Sequence, residues 1–160
     1  MAYTARDGWV WAFVAVDHHT AEAWGSVARR GDRFAALEPI YAAVRDPFGA
    51  LGPDVARGIS CRHDWGSQYT SSCFTGSLAW LGIEDPPAYV GEPPSNGCAE
   101  RSIRTLKEQV IWARRWNTIE ELEAAIRAFV ELYNTEWLLE RHGHETPREA
   151  YLAAMEAAAA

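Results

Sequence analysis

The chain has 160 residues and a formal net charge of −7, with 48% hydrophobic and 12% aromatic residues. This predicts one domain with apolar residues enough for a sizeable core. The acidic balance argues against a general DNA binder, which carries a basic surplus, although a local basic stripe could still hold DNA. No apolar run is long enough to span a bilayer, which leaves no membrane partner. Met1–Asp7 lacks the basic start and apolar stretch of a secretory leader. Cys61, Cys73 and Cys98 are odd in number and widely spaced, which reads as free thiols in a reducing cytoplasm.

Trp9 to Val16 is a run of Trp, Phe, Val and Ala, consistent with a buried strand. Ala23 to Ala28 reads as its hairpin partner, with His18-His19-Thr20-Ala21 near the turn. Asp32 can cap a helix from Arg33 to about Val44, ended by Asp46-Pro47-Phe48-Gly49. Ala56 to Cys61 is expected as a short strand that delivers Asp64 just past its end. Thr70 to Leu81 is a helix with Phe74, Leu78 and Leu81 at helical spacing, and Gly82 is its stop. Ile83 opens a short extended piece limited by Pro86-Pro87.

Gly91-Glu92-Pro93-Pro94-Ser95-Asn96-Gly97 is the clearest loop. A helix then runs from about Gly97 to Arg115, with Glu100, Arg104, Lys107 and Ile111 on one stripe and Ala99, Ile103, Leu106 and Val110 on another. Thr118-Ile119-Glu120-Glu121 is a capping box. It opens an amphipathic helix with Ile119, Leu122, Ile126, Phe129, Val130, Tyr133 and Trp137 on one side. Thr146-Pro147 starts a last short helix, and Met155 to Ala160 is Ala-rich and expected to fray. Strands first, then alternating elements, then helices indicate a mixed sheet with helices packed on it, an α/β fold.

Two acids stand out. Asp64 lies in His63-Asp64-Trp65-Gly66-Ser67-Gln68-Tyr69-Thr70-Ser71, and Glu100 in Asn96-Gly97-Cys98-Ala99-Glu100-Arg101-Ser102-Ile103-Arg104-Thr105-Leu106-Lys107-Glu108. Phosphoryl transfer by metal ions needs hard oxygen ligands on rigid elements, and a strand-end Asp with a first-turn Glu can supply them. Arg104 and Lys107 on the Glu100 stripe could neutralise phosphates, with Arg101 at the flank. Taken alone, Glu100 and Arg104 are also an ordinary i, i+4 ion pair.

These words resemble the integrase-like core of bacterial insertion-sequence transposases, the DDE group related to retroviral integrases. The likeness includes Asp7-Gly8-Trp9, Val14-Ala15-Val16-Asp17-His18, Tyr89-Val90-Gly91-Glu92-Pro93, Tyr133-Asn134, Arg141-His142-Gly143-His144 and Thr146-Pro147. The resemblance implies a ribonuclease-H-like mixed sheet with flanking helices over residues 1–150, with 151–160 as an Ala-rich tail. It implies metal-dependent cutting and joining of DNA strands. Asp64 and Glu100 then match the second and third catalytic, metal-binding acids, for Mg2+ or Mn2+. Asn96, Arg101, Arg104 and Lys107 would contact DNA. The partners implied are transposon ends and target DNA, and a second copy or a full-length transposase.

The family's first acid lies on the opening strand, in a Thr-Asp-Thr-like word. This chain has Met1-Ala2-Tyr3-Thr4-Ala5-Arg6 there. The expectation is a core whose first strand is missing or incomplete, with no upstream DNA-binding domain and no strand transfer of its own. An alternative class is a non-catalytic remnant acting as a DNA-binding or oligomerisation module. A ribonuclease-H-like nuclease shares the fold but lacks support from the tail motifs. Asp17 is a candidate replacement acid, against the plainer role of capping the turn through His18-His19-Thr20. Asp7, in the hairpin turn, is a worse candidate.

Cys61, His63 and Asp64 suggest a zinc site, but no second ligand pair exists at finger spacing, so His63 is expected to order the Asp64 loop. His142 and His144 could contact DNA or pack a turn. Trp112 and Trp116 could stack on bases, with core or a protein interface the preferred reading.

Overall fold

The computed structural model describes residues 1–86 and 97–159. A three-stranded antiparallel sheet sits between two helical layers. Its strands are β1 (Ala2–Thr4), β2 (Gly8–Val16) and β3 (Ala23–Ala28), in the order β1-β2-β3. The helices are α1 (Arg33–Phe48), α2 (Ser72–Leu81), α3 (Gly97–Leu106), α4 (Ile119–Glu136) and α5 (Pro147–Ala159).

β2 alternates, so it feeds two cores. Val10, Ala12 and Val14 pack with Leu106, Val110, Trp116, Leu122 and Ile126 beneath α3 and α4. Trp11 and Phe13 pack on the opposite face with Leu37, Val44, Phe74, Leu78 and Leu81 of α1 and α2. Gly25 lets α4 approach β3 closely: a Cβ there would lie 3.0 Å from Ile126 Cγ2. Asn134 closes that contact from α4. It accepts from Ala23 N–H at 3.0 Å and donates to Ala23 C=O at 2.8 Å.

β1 is a stub. It pairs only through Ala2↔Val10, Tyr3↔Trp9 and Thr4↔Gly8, as the sequence leads one to expect. Among the described residues, Trp11 to Val16 pair with β3 on one side and with no strand on the other.

Helix ends follow local chemistry. Asp32 accepts from Phe34 and Ala35 N–H, and Ser71 from Phe74 N–H. Gly49 and Gly82 end their helices in the left-handed region, at φ 75° and 79°. α1 passes Val44 to reach Phe48, because Pro47 has a φ that suits a helix and forfeits one N–H only. Thr118 accepts from Glu121 N–H, and the Glu121 carboxylate returns to Asn117 N–H. Thr146 and Glu149 cap α5 reciprocally.

Three expectations change. Ala56 to Cys61 forms no strand. Asp54 (φ 56°) and Gly58 (φ 90°) carry the segment through turns, leaving a single parallel bridge, Ser60↔Glu84. The helix expected to reach Arg115 passes at Lys107–Ile111 into a π-helical turn and ends at Trp112. The wider turn lets Val110 and Ile111 both enter the core, so Ile111 leaves the Glu100 stripe while Ile103 is 39% exposed. Finally, α5 stays helical to Ala159 rather than fraying from Met155.

Candidate active site

Asp64 lies past the Ser60↔Glu84 bridge, in the loop that enters α2, and it is exposed. Its Oδ1 accepts from Gly66 N–H at 2.8 Å. His63 holds the loop. Its Nδ1 lies 2.8 Å from the Asp64 carbonyl oxygen and its Nε2 lies 2.9 Å from Asp85 Oδ1. The imidazole stacks on Tyr69 and meets the buried Phe74 edge-on. Both ring nitrogens are thereby engaged, so His63 orders the loop, as expected from the sequence. Burial, with Asp85 adding to it, pushes the Cys61 thiol up to about 11. That keeps it protonated and a poor metal ligand near neutrality.

Glu100 lies in the exposed first turn of α3, where a carboxylate suits the helix dipole. Helical spacing carries Arg104 and Lys107 along the same stripe, with Arg101 beside it. Arg101 and Arg104 are exposed and Lys107 is half-buried. Asn96 and the loop before Gly97 lie outside the described residues.

The two stand-in acids make hydrogen bonds of their own. Asp17 caps its turn: Oδ1 accepts from His19 N–H at 2.7 Å, and its carbonyl accepts from Ala21 N–H at 2.8 Å. Asp7 Oδ2 accepts from Ile119 N–H at 2.7 Å, at the start of α4, and its other oxygen pairs with Arg29. The Ile119 N–H first, then Arg29, hold the Asp7 carboxyl below the usual range.

The tail word packs as well. Arg141 donates to the carbonyl oxygens of His18 and His19 at 3.3 and 3.1 Å, tying the turn before α5 to the Asp17 turn.

Among the described residues, no group of three or more His, Cys, Asp and Glu side chains is placed to hold a metal ion. Paired catalytic metals about 3.5–4 Å apart need ligands that converge. Asp64 and Glu100 have the right hard-oxygen chemistry, but the described residues do not complete a donor set around them.

Sequence reading missed one charged cluster. Glu22, at the foot of β3, has no solvent exposure. Its Oε1 lies 2.6 Å from Arg148 Nη2 on α5, and Arg148 also reaches Asp46 at 3.4 Å. No local pattern announces a partner so far along the chain.

Residues 81–147 match the family model described as Integrase core domain. The structure superposes on the catalytic core domain of BIV integrase with a TM-score of 0.68 at 19% identity, covering 94% of this chain and 90% of that one. The fold is thus α/β and ribonuclease-H-like, that of an integrase catalytic core, as the sequence implied.

In sequence, the chain is 37% identical over 87 residues to the transposase for insertion sequence element IS629 of Shigella sonnei, covering 54% of this chain and 29% of that protein. It is 30% identical over 109 residues to the transposase for IS904 of Lactococcus lactis, covering 66% of this chain and 43% of that one. The chain thus spans less than half the length of these relatives. Over the matched stretches the chain is similar in fold and sequence to the integrase core of insertion-sequence transposases of the DDE type.

Proposed function

We propose that this domain is the catalytic core of a transposase, in which Asp64 and Glu100 act together on DNA. One observation carries the reading. Glu100 opens a helix whose same stripe bears Arg104 and Lys107, inside the stretch that matches an integrase core. The two carboxylates would hold Mg2+ or Mn2+, which when bound activates the attacking oxygen and stabilises the leaving 3′ oxygen. Arg101, Arg104, Lys107 and Asn96 would fix the phosphates of the transposon ends and the target. His63 would keep Asp64 in position by locking its loop. Three free cysteines and the absence of a membrane-length apolar helix among the described residues support a cytoplasmic setting. A second copy or a longer transposase chain would complete the assembly.

A second reading has its own support. β1 consists of Ala2, Tyr3 and Thr4 and carries no acid, and no group of three metal-ligating side chains forms among the described residues. This polypeptide would then bind DNA or partner chains without cutting.

The test is fluorescence anisotropy with a labelled duplex. The reading requires salt-dependent binding that Arg104→Ala/Lys107→Ala weakens several-fold. Binding insensitive to salt and to that pair would reject it.

A further inference from the structure

We infer that Trp112 is a stacking platform for an unpaired DNA base beside the proposed site, an assignment that rests on the DNA-binding reading above. In a regular helix, Trp112 would sit about 140° round the axis from Lys107. In the π-turn, residues five apart come nearer to one face: Trp112 N–H donates to Lys107 C=O at 2.8 Å. The Lys107 ammonium lies 6.0 Å from the centre of the Trp112 ring. One local insertion therefore buries Ile111 and brings an indole to the end of the Glu100–Arg104–Lys107 stripe.

The indole is not needed by the core. Trp112 is 67% exposed, whereas Trp116 is 5% exposed and donates its indole N–H to Ile111 C=O at 3.2 Å. Arg114 covers Trp116, with its guanidinium carbon 4.1 Å from the ring centre.

Charge decides the class of partner. An apolar protein surface laid on Trp112 would strip water from the Lys107 ammonium without neutralising it. A nucleotide meets both needs, because its base covers the ring and its phosphate faces the cation. Stacking tolerates any base, so the platform would favour unpaired nucleotides over duplex without reading sequence.

The experiment measures binding of fluorescein-labelled oligothymidine and of a blunt duplex by anisotropy, using the whole chain. Trp112→Ala is expected to weaken oligothymidine binding about tenfold while changing duplex binding less than about twofold. Trp112→Phe, which keeps a ring, should restore most of the loss. Arg104→Ala/Lys107→Ala should weaken both ligands. Equal affinity of parent and Trp112→Ala for oligothymidine, or an equal loss on both DNAs, overturns the platform while leaving the DNA-binding reading intact. A parent chain that binds neither DNA removes both. Self-association lost in Trp112→Ala with DNA binding unchanged assigns the ring to a protein contact and also overturns it.

Discussion

Arg148 places Nη2 2.6 Å from Glu22 Oε1, and so joins α5 to the foot of β3 through a carboxylate with no solvent exposure. The pair is close but poorly aligned: neither Glu22 oxygen nor Arg148 Nε has a hydrogen-bond partner of good geometry. Desolvation raises the Glu22 pKa from 4.5 to about 7. Arg148 opposes this, and Asp46, Glu131 and Asp17 add to it. A raised carboxyl pKa means the folded state holds the proton more tightly than the unfolded chain. The stabilisation is complete below about pH 4.5 and is lost as pH rises through about 7. Denaturant unfolding should therefore show a fall of about 1–3 kcal/mol between pH 5 and pH 8. Glu22→Gln should flatten that slope. Asp7 and Glu149, whose pKa values are lowered, act only at more acidic pH and do not mask it. A slope unchanged in Glu22→Gln would place the titration elsewhere.

Asn134 makes two hydrogen bonds to Ala23, and only 2% of it is exposed. Asn134→Ala would leave a backbone N–H and C=O buried without partners, each worth about 1–3 kcal/mol. The expected outcome is a loss of at least about 2 kcal/mol in urea unfolding. Asn134→Asp keeps the acceptor but sets a carboxylate oxygen against the Ala23 carbonyl, so it should also lose stability. A wild-type midpoint for Asn134→Ala would contradict this role.

β1 covers only Gly8 to Val10 of β2, so the edge from Trp11 to Val16 presents unpaired backbone groups among the described residues. Such edges recruit strands from other chains. Size-exclusion chromatography should show concentration-dependent association. A strict monomer up to millimolar concentration would count against it.

The chain alone is expected to give no strand transfer on supercoiled plasmid, with Mg2+ or Mn2+. In-line displacement builds negative charge on the attacking and leaving oxygens, which two fixed metals normally absorb. β1 has no carboxylate to share between them. Loss of such a group costs about 3–6 kcal/mol, or two to four powers of ten in rate. Metal-dependent nicking that disappears in Glu100→Gln would refute this and show that a third ligand is supplied from elsewhere.

Much of this protein was legible in its residues because the deciding signals are local. The alternation of β2, the caps at Asp32, Thr118 and Thr146, and the stops at Gly49 and Gly82 each depend on a few adjacent positions. The two acidic words and their family resemblance are likewise local strings. Tertiary structure decided what depends on distant partners. Asp7 is engaged by Ile119 and Arg29, far along the chain, which no local string announces. The expected strand at Ala56 to Cys61 became turns around Asp54 and Gly58 and kept one bridge to Glu84. The π-turn exists because packing buries Val110 and Ile111 together, a demand that helical spacing alone does not express. Glu22 acquires its altered proton affinity only when α5 folds back over it, since desolvation and an ion pair are properties of the assembled interior and not of a stretch of chain.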